Sequence, residues 1–170
     1  MDWRDSVVCE VCTLPDPLPF HGRPLVDSSL CGSETILVVD DEKFVRDHCA
    51  SVLAYSGYEV FSAEDGYHAL DIVRAMKNPI DLALIDIRMP KMSGPELLVE
   101  LLDFMAPNSL QIRFILMSGF PDTRGDPAHS ANRYSFVQKP FTASALLAAV
   151  RHELDTAVRV TRGNGSLRRE

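Results

Sequence analysis

Four apolar runs in this 170-residue chain break off at polar residues. Val38-Val39 runs into Asp40-Asp41, Leu84-Ile85 into Asp86, Leu116-Met117 into Ser118, and Phe136-Val137-Gln138 into Lys139-Pro140. Taken singly, each ending needs no special explanation, because strands lead into loops and loops face water. Together they carry more. Two unit charges about 4 Å apart repel by about 4 kcal/mol at an effective dielectric near 20, so gathering Asp40, Asp41 and Asp86 in one place calls for a cation. Mg²⁺, or Mn²⁺ with similar tastes, is a hard ion that binds through one or two carboxylates and keeps positions for water and phosphate oxygens. A carboxylate so placed can attack phosphorus to give an acyl phosphate, while a lysine ammonium and a hydroxyl neutralise the equatorial oxygens. Asp86, Lys139 and Ser118 supply those groups. His48, His68, His129 and His152 fall on predicted helices or an irregular link as solvated surface, so the strand ends offer no Ser-His pair for acyl transfer and no zinc-ligand set for hydrolysis. The sequence also lacks a G-x-x-x-x-G-K-[ST] loop for a nucleotide.

For these groups to meet, the strands carrying them must end side by side. The predicted strands are Thr35–Val39, Glu59–Ala63, Asp81–Ile85, Arg113–Met117 and Ser135–Gln138, short and apolar enough to read as buried. Between them Phe44–Tyr55, Gly66–Met76, Gly94–Met105 and Thr142 to about Thr156 place apolar residues at helical spacing, as Ala69, Leu70, Val73 and Met76 do. Gly57 stands where a helix end wants a left-handed residue, and Thr142 where one wants an N-cap. Pro121, Gly125 and Pro127 restrict any helix in the link from Gly119 to Arg133 to a short one near Ala128–Arg133. Alternating β and α with right-handed crossovers gives a doubly wound α/β fold, whose ligand crevice lies outside the carboxyl ends of the strands.

Composition narrows the function. A formal charge of −7 speaks against a nucleic-acid surface, which needs clustered Lys and Arg to replace counterions. No apolar run approaches the roughly 18 to 20 residues that span a bilayer, and Met1-Asp2-Trp3-Arg4-Asp5 lacks the basic-then-apolar order of a signal peptide. The expectation is a cytoplasmic chain with reduced thiols at Cys9, Cys12, Cys31 and Cys49. Cys9-x-x-Cys12 with His21 and Cys31 could offer zinc four ligands, but the second pair lacks the spacing of zinc modules. Residues 1–34, with Pro15, Pro17, Pro19 and Pro24, therefore read as a passive irregular extension, with at most a short helix near Ser6–Cys12. The domain is expected over 35–157, able to fold without what precedes it, with a flexible tail over 158–170.

Four segments then converge on a family. Thr35-Ile-Leu-Val-Val-Asp40-Asp41-Glu42, Leu84-Ile-Asp86-Ile-Arg-Met-Pro90-Lys-Met-Ser-Gly94, Ile115-Leu-Met-Ser118-Gly119 and Val137-Gln-Lys139-Pro140-Phe141 closely resemble the receiver domains of two-component response regulators. The resemblance covers roughly 35–157 and implies a flavodoxin-like five-stranded sheet in the order 2-1-3-4-5. It implies that Asp41, Asp86 and the Arg88 backbone carbonyl hold Mg²⁺, with Asp40 acting mainly through metal-bound water. It implies that Asp86 accepts a phosphoryl group from a phosphohistidine on a sensor histidine kinase or phosphotransfer domain, and that Ser118 and Lys139 bind its oxygens. Phe136 matches the family's aromatic switch position without a tyrosine's hydroxyl, Lys139-Pro140 matches a peptide bond that is usually cis, and Gly119 a small residue beside the phosphoryl site. The texture around Met89–Pro95 is similar to receivers attached to hybrid kinases.

Two other readings compete with a phosphorylation-switched binding module. Aspartate-nucleophile phosphohydrolases resemble D-x-D-x-[TV] after the first strand, where this chain has Asp40-Asp41-Glu42-Lys43. A pseudo-receiver scaffold would lack acceptor residues, and all are present. The few residues after Ala157 leave output to protein contacts or onward phosphoryl transfer, with the downstream target unspecified.

Overall fold

β1 (Thr35–Val39), β3 (Leu82–Asp86) and β4 (Arg113–Ser118) lie at the centre of a single parallel sheet, flanked by β2 (Glu59–Ala63) and β5 (Ser135–Gln138) in the order β2-β1-β3-β4-β5. The computed structural model describes residues 27–76, 79–108, 111–119 and 134–163. Register is set by pairs such as Val39 with Ala63, Val39 with Ile85, Asp86 with Met117 and Ser118 with Gln138, which align the carboxyl ends of the strands on one edge. The helices are α1 (Lys43–Tyr55), α2 (Gly66–Ala75), α3 (Gly94–Asn108) and α4 (Ala143–Gly163).

Burial separates the strands more sharply than their composition does. β1 and β3 are buried along their whole length and β4 nearly so, whereas β2 buries only Ala63 and β5 only Val137. The expectation of five buried strands holds for the three central ones and fails at the edges, where among the described residues each strand pairs on one side only. Inside, successive residues point to opposite faces. Leu37, Val39, Ala83, Ile85, Phe114 and Leu116 meet α2 and α3 through Ala69, Leu70, Val73, Leu97 and Leu101. Ile36, Val38, Leu82, Leu84, Ile115 and Met117 meet α1 and α4 through Cys49, Leu53, Leu146, Leu147 and Val150.

The ends of the elements follow local chemistry. Gly57 adopts φ +96° after α1, the left-handed state that glycine reaches without a Cβ penalty. Thr142 Oγ1 accepts from Ala145 N at 3.2 Å and caps α4. Asp65 Oδ1 accepts from His68 N at 2.9 Å and caps α2. α4 continues to Gly163 rather than ending near Thr156, since nothing in Ala157–Thr161 breaks a helix. β3 sits one residue later than predicted, ending on Asp86.

Residues 27–34, expected to be part of a passive extension, are held by specific bonds. A 3-10 turn at Ser28–Leu30 is capped by Asp27, whose Oδ1 accepts from Ser29 N. Tyr58 Oη donates to the Leu30 carbonyl at 3.0 Å, Gly32 N to Ser56 O, and Glu59 N to Glu34 O. Arg151 on α4 closes the arrangement, its guanidinium 2.8 Å from Glu34 Oε1 and 3.0 Å from Asp155 Oδ1. Burial and then Arg151 act on Glu34 in opposite senses, and the net effect holds its carboxyl below the usual range. The short helix near Ser6–Cys12, the helix near Ala128–Arg133, and Cys9, Cys12 and His21 lie outside the described residues.

Candidate functional site

Parallel pairing with matched strand ends brings Asp40, Asp86, Ser118 and Lys139 to the carboxyl edge of the sheet although 99 residues separate Asp40 from Lys139. Asp40 follows the last residue of β1 and is fully buried; Asp86 and Ser118 close β3 and β4 and are nearly so. Lys139 follows β5 and has a 14% exposed side chain. Its ammonium lies 2.7 Å from Asp40 Oδ2 and 2.5 Å from Asp86 Oδ1. The other oxygens are also engaged: Asp40 Oδ1 accepts from Glu42 N at 2.9 Å and Asp86 Oδ2 from Arg88 N at 2.7 Å.

The loops are pinned from behind. Arg46 on α1 donates to the Asp40 carbonyl at 2.6 Å, fixing the turn between β1 and α1. Lys139 N donates to Ser118 O at 2.7 Å, and the Lys139-Pro140 bond is cis. Gly94, at the start of α3, passes so close to Asp86 that a Cβ there would stand 2.3 Å from the Asp86 carbonyl oxygen.

Electrostatics distinguish the partners. Burial pushes the Asp86 carboxyl above its ordinary value, and Asp40 adds to that, although Lys139 pulls the other way. Burial would lower Lys139, but the two carboxylates outweigh it and hold the ammonium firmly protonated. Two buried carboxylates thus share one cation, an arrangement short of positive charge.

A cavity of about 200 Å³ opens over these groups, lined by Glu42, Asp86, Arg88, Ser118, Gly119 and Lys139. Asp41 is exposed while Asp40 and Asp86 are buried, and among the described residues no three His, Cys, Asp or Glu side chains group to hold a metal by themselves. The donors are oxygens only, and the charge deficit favours a hard cation that completes its shell with a carbonyl and water. The residues present fit Mg²⁺ on those terms. Phe136 is half buried on β5 and packs against the α2 and α3 side of the core. Beside the small cavity lies a wider one of about 560 Å³, lined by Phe44, Val45, His48, Pro140 and Phe141 with Glu42, Gly119 and Lys139.

Sequence reasoning named Asp40, Asp86, Ser118 and Lys139 and missed Glu42 and Arg46. Glu42 was legible in principle, as the residue after the acidic pair. Arg46 was not, since its role depends on a bond to a main-chain atom.

The family model described as "Response regulator receiver domain" matches residues 36–151. The chain is 34% identical over 131 residues to "Sensor kinase CckA" of Brucella abortus, covering 75% of this chain and 13% of that protein. It is 28% identical over 120 residues to "Response regulator SaeR" of Staphylococcus aureus, covering 70% of this chain and 50% of that one. The chain therefore spans half or less of these relatives. Among solved structures, the receiver domain of hybrid histidine kinase CckA superposes with a TM-score of 0.58 at 31% identity, covering 71% of this chain and 98% of that one.

Proposed function

The chain belongs to the receiver domain family of two-component response regulators, and from that premise we propose that it accepts a phosphoryl group on Asp86 in a reaction that requires Mg²⁺ or Mn²⁺. Receiver domains work with histidine kinases or phosphotransfer proteins, and the donor here is a phosphohistidine on one of these. Asp86, Asp41 and the Arg88 backbone carbonyl would hold the metal, with Asp40 reaching it through water. Bound there, the cation would offset the negative charge that the phosphoryl group brings to two carboxylates.

The chain's own residues account for the rest. An Asp86 carboxylate oxygen forms the new O–P bond as the donor's N–P bond breaks and its electron pair leaves with the imidazole. Lys139, already 2.5 Å from Asp86, holds a cation against the incoming oxygens, and the Ser118 hydroxyl donates to one of them. Turning Lys139 and Ser118 toward the phosphoryl group biases the β4–β5 end of the sheet, with Phe136 and Pro140 as the neighbouring switch residues. Phe136 swings without a hydroxyl to anchor it. The apolar groove beside the site, where Phe44 is 85% exposed, supports a protein surface as donor rather than a small ester. We read the chain as catalysing only its own phosphorylation and dephosphorylation and as signalling through protein contacts.

The observation that carries this reading is the convergence of Asp40 and Asp86 on one ammonium under an open cavity. Intact mass after incubation with acetyl phosphate and Mg²⁺ tests it. One added phosphoryl group is expected, lost in Asp86→Asn and in excess EDTA. Labelling that survives both changes would remove the central claim.

A further inference from the structure

Lys91 is the one non-glycine residue with positive φ among the described residues, at +68°. A side chain in the left-handed region is disfavoured by its Cβ, and glycine or asparagine is the ordinary occupant. A lysine kept there asks what holds it. Its ammonium lies 2.6 Å from Asp65 Oδ2, and the Asp65 side chain is only 11% exposed. The other Asp65 oxygen caps α2 through His68 N. The next residue, Met92, is buried and packs over Gly66, the first residue of α2. The loop after the acceptor is thus braced on the start of α2 at two adjacent points, one polar and one apolar.

The same loop governs Asp86. Ile87 N donates to Met117 O, Arg88 N to Asp86 Oδ2, and Gly94 N returns to Ile87 O, so residues 87–94 form one tight unit whose first turn touches the acceptor carboxylate. A shift of the loop at Lys91 moves the Arg88 amide.

We propose that Lys91 is a positioning residue for phosphoryl transfer: its ion pair with Asp65 fixes the 87–94 loop on α2, and through it the Arg88 N–H on Asp86 Oδ2 and the Arg88 carbonyl at the metal position. This rests on the reading of Asp86 as acceptor. The pair itself is largely exposed on the lysine side, so it adds little to global stability. Its effect lies in where the loop sits.

Five variants test it, each followed by rate of labelling with acetyl phosphate, Mg²⁺ binding by calorimetry, and melting. Lys91→Met keeps the stem and removes the charge; Asp65→Asn keeps an N-cap and removes the partner. Each should slow labelling and weaken Mg²⁺ binding by about three- to tenfold with little change in melting, and the double variant should add nothing further. Lys91→Arg should retain most of the rate. Lys91→Gly relieves the backbone and deletes the pair, and should fall as Lys91→Met does. Wild-type rate and Mg²⁺ affinity in Lys91→Met or Lys91→Gly overturn the proposal, as does a further additive loss in the double variant. A wild-type chain that takes no phosphoryl group overturns the reading of Asp86 beneath it, and the proposal with it.

Discussion

Lys139 Nζ lies between Asp40 Oδ2 at 2.7 Å and Asp86 Oδ1 at 2.5 Å, so a single ammonium neutralises part of the charge of two buried carboxylates. Replacing it by Met leaves like charges facing each other where water is scarce. Breaking such a buried set costs about 3 kcal/mol, and the variant should still fold but melt several degrees lower. Mg²⁺ should restore more of the loss in Lys139→Met than it adds to wild type. Melting with and without Mg²⁺ decides this, and an equal Mg²⁺ response in both chains counts against the shared site.

Asp86→Asn should raise the melting temperature at pH 7 in EDTA. Burial first, and Asp40 after it, place the folded Asp86 value above 3.8, so the folded chain binds that proton more tightly than the unfolded chain. Stability from this group therefore falls as pH rises from 3.8 through the raised value, and a neutral amide recovers it. A lower melting temperature would mean that the bond to Lys139 outweighs the burial.

Glu34 titrates in the opposite sense. Its folded value lies below 4.5, because Arg151 overcomes the burial, so its contribution is complete above 4.5 and is lost as pH falls through the lowered value. Glu34→Gln should cost about 1 kcal/mol at pH 7 and nothing well below that window. Arg151→Ala should match it and add the loss of Asp155 and Tyr58 as partners. Melting measured against pH from 2.5 to 7 reads both.

The thiols should separate by accessibility. Burial, reinforced by Asp40, pushes Cys49 up to about 11, and its side chain sits in the core under α1, whereas Cys31 is exposed. With Cys9 and Cys12 changed to Ser, an aromatic disulfide reagent at pH 8 should modify Cys31 at once and Cys49 only after denaturation. Rapid modification of both in the native chain would show that α1 opens readily.

Much of this architecture could be read beforehand because it rests on local, periodic signals. Apolar runs such as Thr35–Val39 mark strands, and the polar residue ending each run marks the site edge, since parallel pairing aligns those ends. What escaped depends on distant partners. Composition does not separate Glu59–Ala63, an edge strand, from the central ones, because exposure is decided by which neighbour is missing. Ser28–Glu34 carries no periodicity, and its docking relies on Tyr58 and Arg151, the latter 117 residues from Glu34. The lysine at positive φ likewise has no sequence signal. Asp41 is exposed where its neighbour Asp40 is buried, a difference that adjacency in the sequence does not show.

The division of the core by the sheet has a spectroscopic consequence. The chain contains seven isoleucines. Ile36 and Ile115 lie in the cluster beneath α1 and α4, while Ile80, Ile85 and Ile112, with Ile72 and Ile87 at its margin, lie in the cluster beneath α2 and α3. Selective methyl labelling of isoleucine would therefore give a spectrum of few signals, which fall into two layers once single Ile→Val variants have assigned them. Chemical-shift changes of the assigned methyls on adding acetyl phosphate would then tell which side of the sheet receives the signal from Asp86.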